Sequence, residues 1–76
     1  MLDALVRRVL SEHLRRDAAA VQLDAALQGD LGLSPLDVVV VAIRLADAAH
    51  VDLPYGRLDR LRTVADLVAL TRGRSP

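Results

Sequence analysis

The stretch Asp30-Leu31-Gly32-Leu33-Ser34-Pro35-Leu36-Asp37-Val38-Val39-Val40-Val41-Ala42-Ile43-Arg44-Leu45 decides the fold. It ends a loop and starts a helix. Ser34 supplies a capping oxygen, Pro35 takes the first helical position, where its missing N–H costs nothing, and Asp37 follows the serine by three residues as the acidic half of a capping box. Gly29 and Gly32 free the backbone of the preceding loop. From Leu36 to about Ala49 the chain is apolar almost without interruption, which predicts the central helix of a small bundle.

On a helical wheel, Leu36, Val39, Ala42, Ile43, Ala46 and Ala49 fall toward one side, joined by Val38 and Leu45, and this side is expected to face the core. Asp37, Arg44, Asp47 and Ala48 mark the opposite side. Val40 falls within that polar stripe and Val41 at its edge. Two valines facing water read either as isolated surface residues, which are ordinary, or as the centre of an apolar contact face.

Outward from this helix the pattern stays helical. Leu2, Leu5, Val6, Val9, Leu10 and Leu14 recur at helical spacing, with Asp3 and Arg7, and Glu12 and Arg16, four apart on the other side. They predict a first helix from about Leu2 to Arg16, with His13 at the edge of its apolar stripe as a partly exposed residue. Val21, Leu23, Leu27 and Leu31 are scattered through a long connection, Asp17 to Leu33, without a sustained period. So long a loop must be tethered by its leucines, with Asp24 as a candidate cap for one turn ending near Gly29, or else contain a short extra helix.

Pro54 disfavours helix at Leu53 and ends the central element. Tyr55 and Gly56 lead into a short third helix, in which Leu58 and Leu61 point inward and Arg57, Asp59, Arg60 and Arg62 outward; Tyr55 is expected at the rim. Thr63 and Asp66 repeat the capping-box pair ahead of Val64, Leu67, Val68, Leu70 and Thr71, and Gly73 stops this last helix. Arg74, Ser75 and Pro76 read as a frayed tail.

The chain has 76 residues, which allows a single domain over 1–76 that buries only about 60% of its unfolded surface. It has no cysteine, so neither disulfides nor thiolate metal sites can supplement the core. With 53% hydrophobic but 1% aromatic residues, that core must be aliphatic, which suits packed helices better than a sheet. Ten basic residues, all arginine, balance ten acidic ones, and a net charge of zero argues against nucleic-acid binding by bulk charge. No apolar run is long enough to span a bilayer and the N-terminus lacks a signal-peptide pattern, so a cytoplasmic location is expected with no membrane partner. The histidines, aspartates and glycines assemble no catalytic constellation, metal site or nucleotide-binding fingerprint, and the chain is not expected to be an enzyme.

The order Asp30-Leu31-Gly32-Leu33-Ser34-Pro35-Leu36-Asp37, followed by an apolar helix and later by Leu53-Pro54 and Thr63-Val64, resembles the acyl carrier protein family over nearly the whole chain. The resemblance implies an all-α, small four-helix bundle of acyl-carrier-protein type with a long first loop and a short third helix. It also implies 4′-phosphopantetheine on the serine that normally precedes the Leu-Asp pair. Here that position is Pro35, which has no hydroxyl. Ser34, one residue earlier, is the one nearby candidate for cofactor attachment, and its side chain also reads as the helix cap.

The family's usual acidity along the central helix is likewise reduced, with Val40 and Ala46 at positions that are commonly acidic. The resulting expectation is a carrier-like module of fatty acid, polyketide or related thioester biosynthesis that carries no cofactor. It would act through a protein partner or a weak homodimer, by way of Leu36, Asp37, Val40, Val41, Arg44 and Asp47. The alternative is a working acyl or aminoacyl carrier modified with 4′-phosphopantetheine at Ser34. A third reading, weak nucleic-acid binding through Arg57, Arg60 and Arg62, fits the neutral charge poorly.

Overall fold

A computed structural model describes residues 2–73, so the tail expected at residues 74–76 lies outside the described residues. Helix α1 spans Leu2–Leu14, α2 spans Pro35–Ala49 and α3 spans Val64–Thr71. Two 3-10 helices, Ala18–Ala20 and Tyr55–Arg60, lie in the connections, and the second is the short third helix of the bundle. The fold is helical, and no strand occurs among the described residues. Both capping boxes form, Ser34 with Asp37 and Thr63 with Asp66.

The first helix stops two residues sooner than its pattern suggests. Arg15 turns left-handed at φ 56°, and the Arg16 amide donates back to the Ser11 carbonyl at 3.1 Å. The Arg7 guanidinium does not depend on Asp3: its Nε donates to the Val21 carbonyl at 2.8 Å and pins the loop against α1. His50, also left-handed at φ 56°, caps α2 through its amide, which reaches the carbonyls of Ala46 and Asp47.

The connection between α1 and α2 is an ordered strap. Val21, Leu27, Leu31 and Leu33 are buried, while Leu23 is partly exposed. Its turn is organised by Asp30, whose carboxylate accepts the Ala26 amide at 2.8 Å; Asp24 is exposed and does not organise this turn. The strap is tied to the start of α3 by backbone hydrogen bonds. The Leu27 amide donates to the Arg62 carbonyl at 2.8 Å, Val64 to Ala25 at 3.1 Å and Ala65 to Leu23 at 2.8 Å. These bonds pair backbone groups that no helix ladder of the strap supplies with partners.

The core is aliphatic, but α2 presents only part of the expected face to it: Val38, Ala42 and Leu45 are inward as expected, and Val41 joins them. Val38, Val41, Ala42 and Leu45 are buried, whereas Leu36 is 72% exposed, Ile43 54% and Val39 37%. The helix is turned by roughly one residue's step, about 100°, from the wheel reading. The cause is weak contrast: with valine at four successive positions, 38 to 41, the direction of burial rests on the few charges, and Asp37 is a misleading one. Its carboxylate closes the capping box and leans toward α1, so it marks a flank of the helix and not its outward side.

The energetic consequence is specific. Leu45→Ala removes a fully buried side chain and should cost about 2–5 kcal/mol, enough to unfold much of so small a domain. Ile43→Ala should stay within about 1 kcal/mol, because more than half of the side chain is already in water. Urea midpoints of the two variants check this, and equal destabilisation would show that the orientation of α2 is wrong.

Candidate functional site

The start of α2 is built from three side chains on two helices. The Ser34 backbone is extended, at φ −77° and ψ 165°, which aims its Oγ back over the first turn to accept the Asp37 amide at 3.1 Å. Asp37 Oδ2 in return accepts the Ser34 amide and the Ser34 hydroxyl, both at 2.9 Å. The other carboxylate oxygen, Oδ1, lies 3.2 Å from Nε2 of His13 on α1, which donates to it when that nitrogen carries its proton. His13 is thus more than an edge residue. No short-range pattern points to this partner, because it lies 24 positions away.

This arrangement holds the Asp37 carboxyl below the usual aspartate range. The first cause is the hydrogen bond from the Ser34 backbone, followed by the Ser34 hydroxyl and then His13. Serine, carboxylate and imidazole are in line, and the hydroxyl meets the carboxylate and not the imidazole. A carboxylate held below its usual range is a weak base toward a serine hydroxyl. The geometry supplies a cap and an interhelix tie.

Pro35 follows at the first helical position with its ring exposed, and a pyrrolidine offers no atom for a phosphodiester link. The residue present at that position therefore does not fit the cofactor. Beside it runs a groove of about 260 Å³ between α2 and the second 3-10 helix, lined by Pro35, Val38, Val39, Leu58 and Leu61 with Gln28 and Asp59 at the rim. Among the described residues no three His, Cys, Asp or Glu side chains gather as a metal site.

The expected contact residues divide. Leu36, Arg44 and Asp47 are exposed, and Asp37 and Val40 are half-buried. Val41 is fully buried between the helices and cannot be a surface contact; it belongs to the face that the wheel placed outward. Val39 and Ile43, read as core, instead join Leu36 in an exposed apolar stripe. Their i, i+3, i+7 spacing was visible in the sequence, but it does not say which of two apolar faces is outside. Arg57, Arg60 and Arg62 are exposed on and just after the second 3-10 helix.

Comparison with known proteins places this helix start in a family. The model of the phosphopantetheine attachment site matches residues 4–71. The chain belongs to that family, as an acyl-carrier-protein member. Acyl carrier protein from Campylobacter curvus (strain 525.92) is 35% identical over 63 residues, covering 83% of this chain and 82% of that one. The protein of the same name from Campylobacter concisus (strain 13826) is also 35% identical over the same shares. That from Helicobacter acinonychis (strain Sheeba) is 33% identical over 83% of this chain and 81% of its own. Members of this family are carriers and not enzymes. No helix among the described residues is long and apolar enough to cross a membrane.

The capping box also carries a pH dependence whose sign is fixed. A carboxyl depressed in the folded state contributes stability at pH values above its unfolded value, about 3.9, and loses it as pH falls through the lower folded value. Ser34→Ala should cost about 0.5–2 kcal/mol near neutral pH through loss of the cap. The gap in stability between the parent and Asp37→Asn should be full near neutrality and shrink on acidification below about pH 4. Chemical denaturation from pH 2 to 7 tests this, and a pH-independent gap would rule out the ionised carboxylate as its source.

Proposed function

We propose that residues 1–76 form a single carrier-like domain that holds no 4′-phosphopantetheine and works by protein contact, within cytoplasmic thioester biosynthesis of the fatty acid or polyketide type. One observation carries the reading. At the start of α2 the attachment position is a proline, and the neighbouring hydroxyl is committed to the cap, both donating to and accepting from Asp37. The family's helix start is kept as structure while its reactive group is missing.

The contact surface consists of Leu36, Val39 and Ile43, with Val40 at its edge and Arg44 and Asp47 as its charged neighbours. Leaving three large aliphatic side chains in a row on the outside of an 8.2 kDa chain costs solubility, and protein contact is a sufficient reason to keep them. A biosynthetic enzyme or a second copy of the chain would cover them. Nucleic acid is a poor fit, because zero net charge supplies no long-range attraction to phosphates.

Attachment at Ser34 is the second reading, favoured by the exposure of that residue at a helix N-terminus. Esterification would remove the proton given to Asp37, weaken Oγ as an acceptor for the Asp37 amide, and place a phosphodiester charge beside a carboxylate now 2.9 Å away. Modification therefore comes at the expense of the cap.

Intact mass after incubation with coenzyme A and a broad-specificity phosphopantetheinyl transferase separates the readings. The parent should stay unchanged, and a gain of one phosphopantetheine that disappears in Ser34→Ala would overturn the proposal. Pro35→Ser should gain that mass, since Leu36, Asp37 and the cap are already in place. If it remains unmodified, the helix surface as well as the missing hydroxyl lies outside what the transferase accepts.

A further inference from the structure

The exposed stripe on α2 matches its own reverse. When two copies of a helix pair antiparallel about a twofold axis, residues whose numbers share one sum lie at the same level. Leu36 with Ile43 and Val39 with Val40 share such a sum, so an axis passing between Val39 and Val40 serves all four apolar positions at once. Leu36 of each copy then lies level with Ile43 of the other. Val39 and Val40, on opposite flanks of the stripe, lie beside their own counterparts.

The charges agree with the same register. Asp37 and Arg44 occupy the same flank of α2, and antiparallel pairing brings like flanks together. Arg44 then stands within two residues, about 3 Å along the axis, of Asp37 in the second copy. Two such pairs arise by symmetry. The chain also has no net charge, so no long-range repulsion keeps two copies apart.

We propose that a second copy of this chain covers the exposed face of α2 in an antiparallel, twofold pairing, and so masks the contact surface whenever no other partner holds it. This rests on α2 as the contact helix and adds the occupant and its consequence. Three exposed aliphatic side chains fall well short of the roughly 800 Å² that each partner gives to a standard interface, so the pairing is reversible and depends on concentration. That suits a mask that another protein must displace.

The absence of cysteine in the chain gives a clean test of the register. Leu36→Cys and Ile43→Cys chains, mixed at high concentration under mild copper-phenanthroline oxidation, should form a disulfide between unlike chains. Leu36→Cys alone should not, because its two copies lie about 10 Å apart along the axis, beyond disulfide reach. Sedimentation should show a concentration-dependent dimer for the parent, and Ile43→Glu, exposed and so still folded by circular dichroism, should weaken it by at least about tenfold.

A parent that stays monomeric at millimolar concentration, or Leu36→Cys alone cross-linking as fast as the mixture, overturns the pairing. Failure here is distinct from failure of the functional reading. The latter is decided by the mass of the transferase-treated parent, which self-association does not affect.

Discussion

The Ser34 to Asp37 capping box is the interaction on which the rest of the structure depends. It satisfies backbone amides at the start of the longest helix, and its carboxylate also reaches His13, so the same group that starts α2 sets its position against α1. Once α2 is fixed at that end, Val38, Val41, Ala42 and Leu45 turn inward and Leu36, Val39 and Ile43 must turn out. The exposed apolar face is thus a consequence of where the cap leans.

The same helix start forms with proline as its first residue. Proline at the first helical position is structurally favourable, because no amide is lost there and its fixed φ suits the helix. The serine expected at that position would contribute a nucleophile and little else to the fold. With proline there, Ser34 and Asp37 still close the capping box and α2 still forms.

Most of the architecture was legible in the sequence. The two capping boxes, the helix at Pro35–Ala49, the inward Leu58 and the stop at Gly73 follow from short-range patterns. The facing of α2 did not, because a helix with apolar residues on nearly every side has no single stripe to read, and its decisive restraint comes from His13 on another element. Asp30 was likewise missed as the organiser of the loop turn. Aspartates recur throughout that loop, and only three-dimensional placement shows that Asp30 reaches the Ala26 amide. At the candidate site, the missing attachment hydroxyl could be read directly from Pro35, whereas the commitment of Ser34 in both directions needed coordinates.

The strap from residue 15 to 34 has a consequence for how the chain meets a protease. Its backbone is tied at Leu23, Ala25 and Leu27 to residues 62–65, and its side chains at Val21, Leu27 and Leu31 are part of the core. Threading that segment into a cleavage site would require those ties to break and the core to be uncovered, an opening close to global unfolding. The longest connection between helices is therefore guarded by the stability of the whole bundle, and its rate of cleavage would report the folding equilibrium more than the mobility of a loop.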